Sequence, residues 1–224
     1  MSAPAAVVLV HGAWHRPACW DKVVAGLAAR DVAAVAVELP LEGIAADVAA
    51  ARAAIEAAGN GAVVVGHSYG GAVVSAAASG LTNVAHLVYL CAFMLDAGED
   101  VAAITAGHAM PLFDHLQTVD DRTGVDPVAA VDLFYADCTQ ADAAVAVAQL
   151  RSQPWSATDT GVRPAWRDVP STYVVCTDDR AVPPALQRQM ARHAAHVVEW
   201  PTSHSPFLSQ PERIVALLAL LTRR

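Results

Sequence analysis

The chemistry this chain is best equipped for starts at a serine flanked by glycines. In Val63-Val64-Val65-Gly66-His67-Ser68-Tyr69-Gly70-Gly71 a β-branched run stops at Gly66, and an Ala/Val-rich stretch follows the glycine pair. That reads as strand, sharp turn and helix, with G-x-S-x-G at the turn. A turn tight enough to lift one side chain clear of a sheet crowds its neighbours, and small residues at Gly66 and Gly70 relieve the crowding. Ser68 then stands at a helix N-terminus, where free backbone N–H groups favour developing negative charge. A serine hydroxyl is a weak nucleophile until a base takes its proton. That base is usually a histidine held by a carboxylate. Both residue types follow in the chain, at Cys176-Thr177-Asp178-Asp179-Arg180 and then Thr202-Ser203-His204-Ser205-Pro206.

His204 is the expected base, because it follows a strand-like run and so shares the sheet edge of Ser68. Strand alternation points His67 away from that edge. His193 and His196 flank a helix end and read as solvated, and His86 starts a strand. His108 and His115 could approach from a long central insertion. The acid is Asp178 or Asp179. Neighbouring side chains in extended chain face opposite ways, so one of them faces His204, and position alone leaves both open. The oxyanion of an acyl-transfer intermediate needs two N–H donors. Tyr69, after the nucleophile, supplies one, and Ala13 in the turn His11-Gly12-Ala13-Trp14 supplies the other.

The elements that must carry these groups alternate. Short apolar runs at residues 6–11, 32–39, 63–65 and 86–90 read as strands, with helical spacing at 17–30, 44–58 and 69–79 between them. From about residue 93 to 168 the alternation lapses into helix-like pieces with no convincing strand; Asp126 and Thr139 start two of the helices. Strands return at 172–176 and 196–200, with helices at 184–193 and 211–221. The expectation is one α/β domain over residues 1–224: a parallel sheet flanked by helices, with a cap insertion at about 94–168. An insertion at the carboxyl ends of the strands is well placed to be a lid.

Of the 224 residues 55% are hydrophobic and 16% charged, as in a packed globular chain. The formal net charge is -8 with no basic cluster, which argues against nucleic acid or an anionic membrane as partner. Met1-Ser2-Ala3-Pro4 leads straight into a strand without a basic leader, and no apolar run is long enough to span a bilayer. Cys19, Cys91, Cys138 and Cys176 are scattered, which suits a reduced, cytoplasmic setting, and Cys91 and Cys176 read as buried small hydrophobes. His11/His15 and His193/His196 lack a third ligand, so no metal site is expected. Trp14, Phe93, Met94, Met110, Leu112, Phe113, Phe134, Trp155 and Phe207 are candidates to line an apolar pocket, which suits an uncharged small-molecule ester. Monomer and homodimer are both left open.

The chain resembles the α/β-hydrolase superfamily, and more narrowly the small esterases grouped with plant methyl esterases and hydroxynitrile lyases and their bacterial relatives. The matching stretches are Val7-Val8-Leu9-Val10-His11-Gly12-Ala13-Trp14, Val65 to Gly71, Leu87 to Phe93, Cys176 to Asp179 and Ser203 to Pro206. The resemblance implies a Ser68–Asp179–His204 triad, with Asp179 preferred as the aspartate spaced D-x-x-x-P from Pro183. It also implies an oxyanion hole from Ala13 and Tyr69, a helical cap and no cofactor. Hydroxynitrile lyases of the group carry threonine where this chain has Gly12, and lysine where it has Ser205. Without that lysine's charge to stabilise cyanide, the resemblance points to ester hydrolysis. A non-hydrolytic lyase or cyclase, and a ligand-binding protein with a vestigial triad, are the other readings of the same residues.

Overall fold

The computed structural model describes residues 7–154, 158 and 160–223. The chain opens with β1 (Val7–Val10), a 3-10 turn at Pro17–Trp20, α1 (Asp21–Ala28) and β2 (Ala34–Val37). Then come α2 (Ile44–Ala57), β3 (Ala62–His67), α3 (Gly70–Ala77) and β4 (Val84–Leu90). A long segment follows with α4 (Val101–Thr105), β5 (Leu116–Val119), β6 (Arg122–Val125), α5 (Pro127–Phe134), α6 (Gln140–Ala148) and β7 (Gln153–Pro154). The chain ends with β8 (Ser171–Cys176), α7 (Pro184–Met190), β9 (His196–Trp200), α8 (Pro206–Ser209) and α9 (Pro211–Leu221).

Six strands form a parallel sheet in the order β2-β1-β3-β4-β8-β9. The order reverses at β1, which sends β2 to one side and β3 to the other. Ligands of open α/β sheets bind at such a reversal, beyond the carboxyl ends of the strands. The apolar runs are continuous because both faces are covered. Val8, Val10, Val64, Leu87 and Tyr89 pack with α2 and α3, while Val7, Leu9, Val63, Val65, Val88 and Leu90 pack with α1 and α9. Neighbours along one strand thus belong to opposite cores, as the period of two requires.

The segment between β4 and β8 departs from the all-helical expectation. β5, β6 and β7 form a small sheet, antiparallel throughout. The β5–β6 turn is Asp120-Asp121, both with positive φ (47° and 59°), the backbone of a tight hairpin. That turn lacks the usual Asn-Gly signature, and β7 is two residues long and includes a proline, so the strands leave a faint sequence trace. The helix starts agree with expectation: Asp126 Oδ1 accepts the N–H of Val128 and Ala129, and Thr139 Oγ1 that of Asp142. Cys19, Cys91 and Cys176 are buried and Cys138 is half-buried, all as free thiols. Among the described residues no helix is long and apolar enough to cross a membrane.

Candidate active site

Ser68 sits between β3 and α3 with φ 51°, a left-handed conformation that costs an ordinary residue about 1–2 kcal/mol. The glycines on either side make the turn possible. A Cβ on Gly66 would lie 2.6 Å from the Gly70 carbonyl oxygen, and one on Gly70 would lie 2.7 Å from the carbonyl oxygens of Val10 and His11. The turn is tied down from both directions: Ser68 N–H donates to Leu90 O (3.2 Å), and Phe93 N–H donates to Ser68 O (3.0 Å).

His204 lies in the turn after β9 and is 1% exposed. Its Nδ1 is 2.7 Å from Asp179 Oδ2. Asp179 is buried and gathers three further groups: Ala181 and Val182 N–H on Oδ1, and Gln187 Nε2 on Oδ2 at 2.8 Å. With the Nδ1 side of the ring turned to this carboxylate, Nε2 is the ring nitrogen left without a protein partner among the described residues to serve as base. Asp178 is exposed, and its N–H donates to Thr202 O at 3.1 Å.

His67 does not line the cavity at Ser68, yet it lies close to His204. It is fully buried, its ring centroid is 4.6 Å from that of His204, and its Nε2 donates to His204 O at 3.0 Å. As the last residue of β3, paired with Leu90, it keeps the parity of Val63 and Val65 and faces the α1/α9 core, where Trp20 and Phe207 pack on its ring. Burial, reinforced by the nearby His204 and His15, pushes its pKa well below the ordinary 6.5. Burial likewise lowers His11 to about 4 and His15 to about 3. Each of these two neutral rings donates from Nδ1 to a carbonyl of the β1 turn, Gly12 O (2.9 Å) and Ala13 O (2.7 Å). Each accepts at Nε2, from Leu39 N–H and Tyr135 O–H respectively.

That turn brings Ala13 beside Ser68. In it, Trp14 N–H is taken by Gln153 and His15 N–H by Gly12 O, while Ala13 N–H meets no acceptor among the described residues. Tyr69 N–H is equally unengaged there. Its phenol donates to the buried Asp47 (2.7 Å), which also accepts Leu41 N–H, so the ring and backbone of Tyr69 are held fast. Burial raises the Asp47 carboxyl above its ordinary range. A Cβ on Gly12 would come within 2.9 Å of both Ser68 Cβ and His67 Nδ1. Among the described residues one trio, His67, Cys91 and His204, brings metal-capable atoms within 4.8 Å of one another. All three are already hydrogen-bonded: His67 Nε2 and Cys91 Sγ to His204 O, and His204 Nδ1 to Asp179.

A cavity of about 200 Å³ opens at Ser68. Of the residues singled out from sequence, Trp14, Phe93, Met110, Leu112 and Phe113 line it together with Ala13 and Tyr69. Phe134 does not: it is buried behind the wall, stacked on Trp14 and 5.5 Å from the His204 ring. Phe207 does not either. It packs on Trp20 and His67 in the core on the α1/α9 face. Met94 is fully buried in the other core, and Trp155 lies outside the described residues. Asp100, Val101, Gln153, Thr158, Ala181 and Val182 also line the cavity, without having stood out in the sequence. His108 and His115 stay away from it, as His108 reaches Gln189 instead. A second cavity, of about 190 Å³, lies behind His15 and Tyr135 and reaches neither Ser68 nor its loop.

These turns on a parallel sheet have known counterparts. The pattern of the alpha/beta hydrolase family matches residues 7–217. An alpha/beta hydrolase of Aspergillus novofumigatus is 30% identical over 95% of this chain and 94% of its own. A pyrethroid hydrolase of Sphingobium wenxiniae is 29% identical over 95% of this chain and 86% of its own. The crystal structure of an Arabidopsis methylesterase superposes with a TM-score of 0.80, covering 97% of this chain and 98% of its own, at 21% identity, which bears on the fold alone. With the serine turn, the sheet order and a family pattern running almost end to end all in agreement, the chain belongs to the alpha/beta hydrolase family.

Proposed function

We propose that this protein is a carboxylic ester hydrolase that cleaves a small, largely apolar ester through an acyl-enzyme on Ser68. The observation that carries the reading is the buried His204–Asp179 pair at 2.7 Å, held in the loops that follow β8 and β9 at the same sheet edge as the Ser68 turn. His204 is the base, Asp179 holds its tautomer, and Ala13 and Tyr69 N–H are the oxyanion donors. Ser68 Oγ attacks the ester carbonyl and passes its proton to His204 Nε2. The carbonyl oxygen becomes an oxyanion between the two N–H groups. His204 then protonates the leaving alkoxide, and the acyl group stays on Ser68. Water repeats the sequence with His204 as base and frees the acid. Asp179 balances the imidazolium at each stage. No cofactor enters these steps.

The apolar walls Trp14, Phe93, Met110 and Phe113 favour an uncharged substrate. The kinship with a pyrethroid hydrolase supports the same class. Residues 94–168 act as the cap of a single domain, and the free thiols suit a reducing, cytoplasmic setting. Cyanohydrin cleavage is disfavoured: Gly12 has no room for a side chain, and Ser205 brings no positive charge next to His204. Ser68→Ala removes one hydroxyl, so it should keep the fold and lose roughly 10³-fold or more in turnover of p-nitrophenyl acetate. Wild-type turnover by that variant would refute the reading.

A further inference from the structure

Trp14 keeps a left-handed backbone, with φ 61°, that a bulky residue does not hold without support. The support comes from the segment between β4 and β8. Trp14 N–H donates to Gln153 Oε1 at 3.1 Å, and its indole N–H donates to Thr123 O at 2.8 Å. Its carbonyl accepts the N–H of Arg151 at 2.9 Å, and its ring stacks on Phe134. A residue of the β1 turn is therefore held at its N–H by β7, at its ring by β6 and α5, and at its carbonyl by Arg151 just ahead of β7.

Gln153 acts on the peptide that matters most. The N–H it accepts belongs to the unit joining Ala13 to Trp14, so fixing that plane fixes the backbone from which Ala13 N–H projects. Gln153 also lines the cavity at Ser68, and its own backbone pairs with Thr123, so a sheet carries the side chain. We infer that Gln153 is a positioning residue that locks the Ala13–Trp14 peptide and so keeps Ala13 N–H aimed at the oxyanion formed on the Ser68 adduct. This deepens the proposed hydrolysis and rests on it. The cap then completes the oxyanion hole as well as covering the cavity. With β6 and β7 seated, the strained turn is held on both sides of that peptide; with them displaced, its N–H loses Gln153 and only the His15 Nδ1 bond to Ala13 O stays on it.

The test replaces the acceptor while keeping bulk, with Gln153→Met matched in length and Gln153→Leu as a second variant, each checked for an intact melting transition. Three quantities are read: kcat and KM on p-nitrophenyl butyrate, and the inhibition constant of an aryl trifluoromethyl ketone. The ketone carbon bonds to Ser68 Oγ, the hydroxyl proton passes to His204, and the carbonyl oxygen becomes the oxyanion. Losing a direct oxyanion donor costs about 10²–10³ in kcat, so losing the group that aims one should cost about tenfold or more. KM should stay within about twofold, and ketone binding should weaken by the same factor as kcat falls. A rise in KM alone would make Gln153 a cavity wall and overturn the inference. Unchanged kcat and unchanged ketone binding would overturn it too. Ser68→Ala separates the two levels. If that variant is inactive while the Gln153 variants match wild type, this inference fails alone. If it hydrolyses the ester at the wild-type rate, the hydrolase reading fails and takes this inference with it.

Discussion

Asp178 and Asp179 are chemically identical neighbours with opposite environments. Asp179 is buried with four donors around it, and Asp178 is exposed. Asp→Asn keeps the size but can impose the wrong imidazole tautomer, at a cost of about 10⁴ in a triad. Asp179→Asn should therefore lose about 10³-fold or more in kcat with KM little changed. Asp178→Asn should stay within about threefold, as for a surface charge. Steady-state kinetics of both variants on one aryl ester at one pH decides it, and a reversed order would move the acid to Asp178. Position after the β8 run narrowed the choice to this pair, and the family resemblance preferred Asp179. Local sequence alone could not finish the choice, because the partners that hold Asp179 are remote: Gln187 on α7, and the turn after β9. Phe207 shows the same limit. Its position just past His204 suggested the pocket, yet one turn of α8 carries its ring down onto Trp20.

The strand–turn–helix unit around Ser68 was the most legible element, since its glycines are demanded by local geometry. Every neighbour that forbids a Cβ on Gly66 is backbone of the same turn: Gly70 O at 2.6 Å and Gly71 Cα at 2.8 Å. Backbone cannot step aside as a flexible side chain can. Gly66→Ala should thus destabilise the protein by about 2 kcal/mol or more and move Ser68 off its mark. Thermal melting together with ester turnover would check this, and a variant with both properties intact would show that the turn is looser than described. The sheet was legible for a related reason, because fully buried strands read as unbroken β-branched runs. The segment between β4 and β8 was not. Its hairpin turns on two aspartates at positive φ, and the edge strand β7 is only Gln153–Pro154. What makes those residues strands is pairing across the segment, and pairing leaves little trace in local composition.

At the scale of the molecule, the loops at the carboxyl edge are built on neutral buried histidines. Burial keeps His11 near 4, His15 near 3 and His67 well below its ordinary 6.5. On unfolding each ring regains its ordinary affinity for protons. Between about pH 4 and about pH 6.5 the unfolded chain then binds more protons than the folded one, so stability rises with pH across that window and is lost as pH falls through it. Each such histidine contributes a slope of up to about 1.4 kcal/mol per pH unit. Urea midpoints should fall clearly from about pH 7 to about pH 5, whereas a constant midpoint would mean these rings are not neutral and buried together. The central claim is covalent: Ser68, activated by His204 and Asp179, takes up the acyl group. Its most direct measurement is the intact mass and peptide map of the protein after reaction with an alkyl fluorophosphonate, which replaces its fluoride with the Oγ of an activated serine. One adduct per chain, on the peptide containing Ser68 and absent from Ser68→Ala and strongly slowed in Asp179→Asn, is the expected result. An unmodified chain, or an adduct on any other residue, would contradict it.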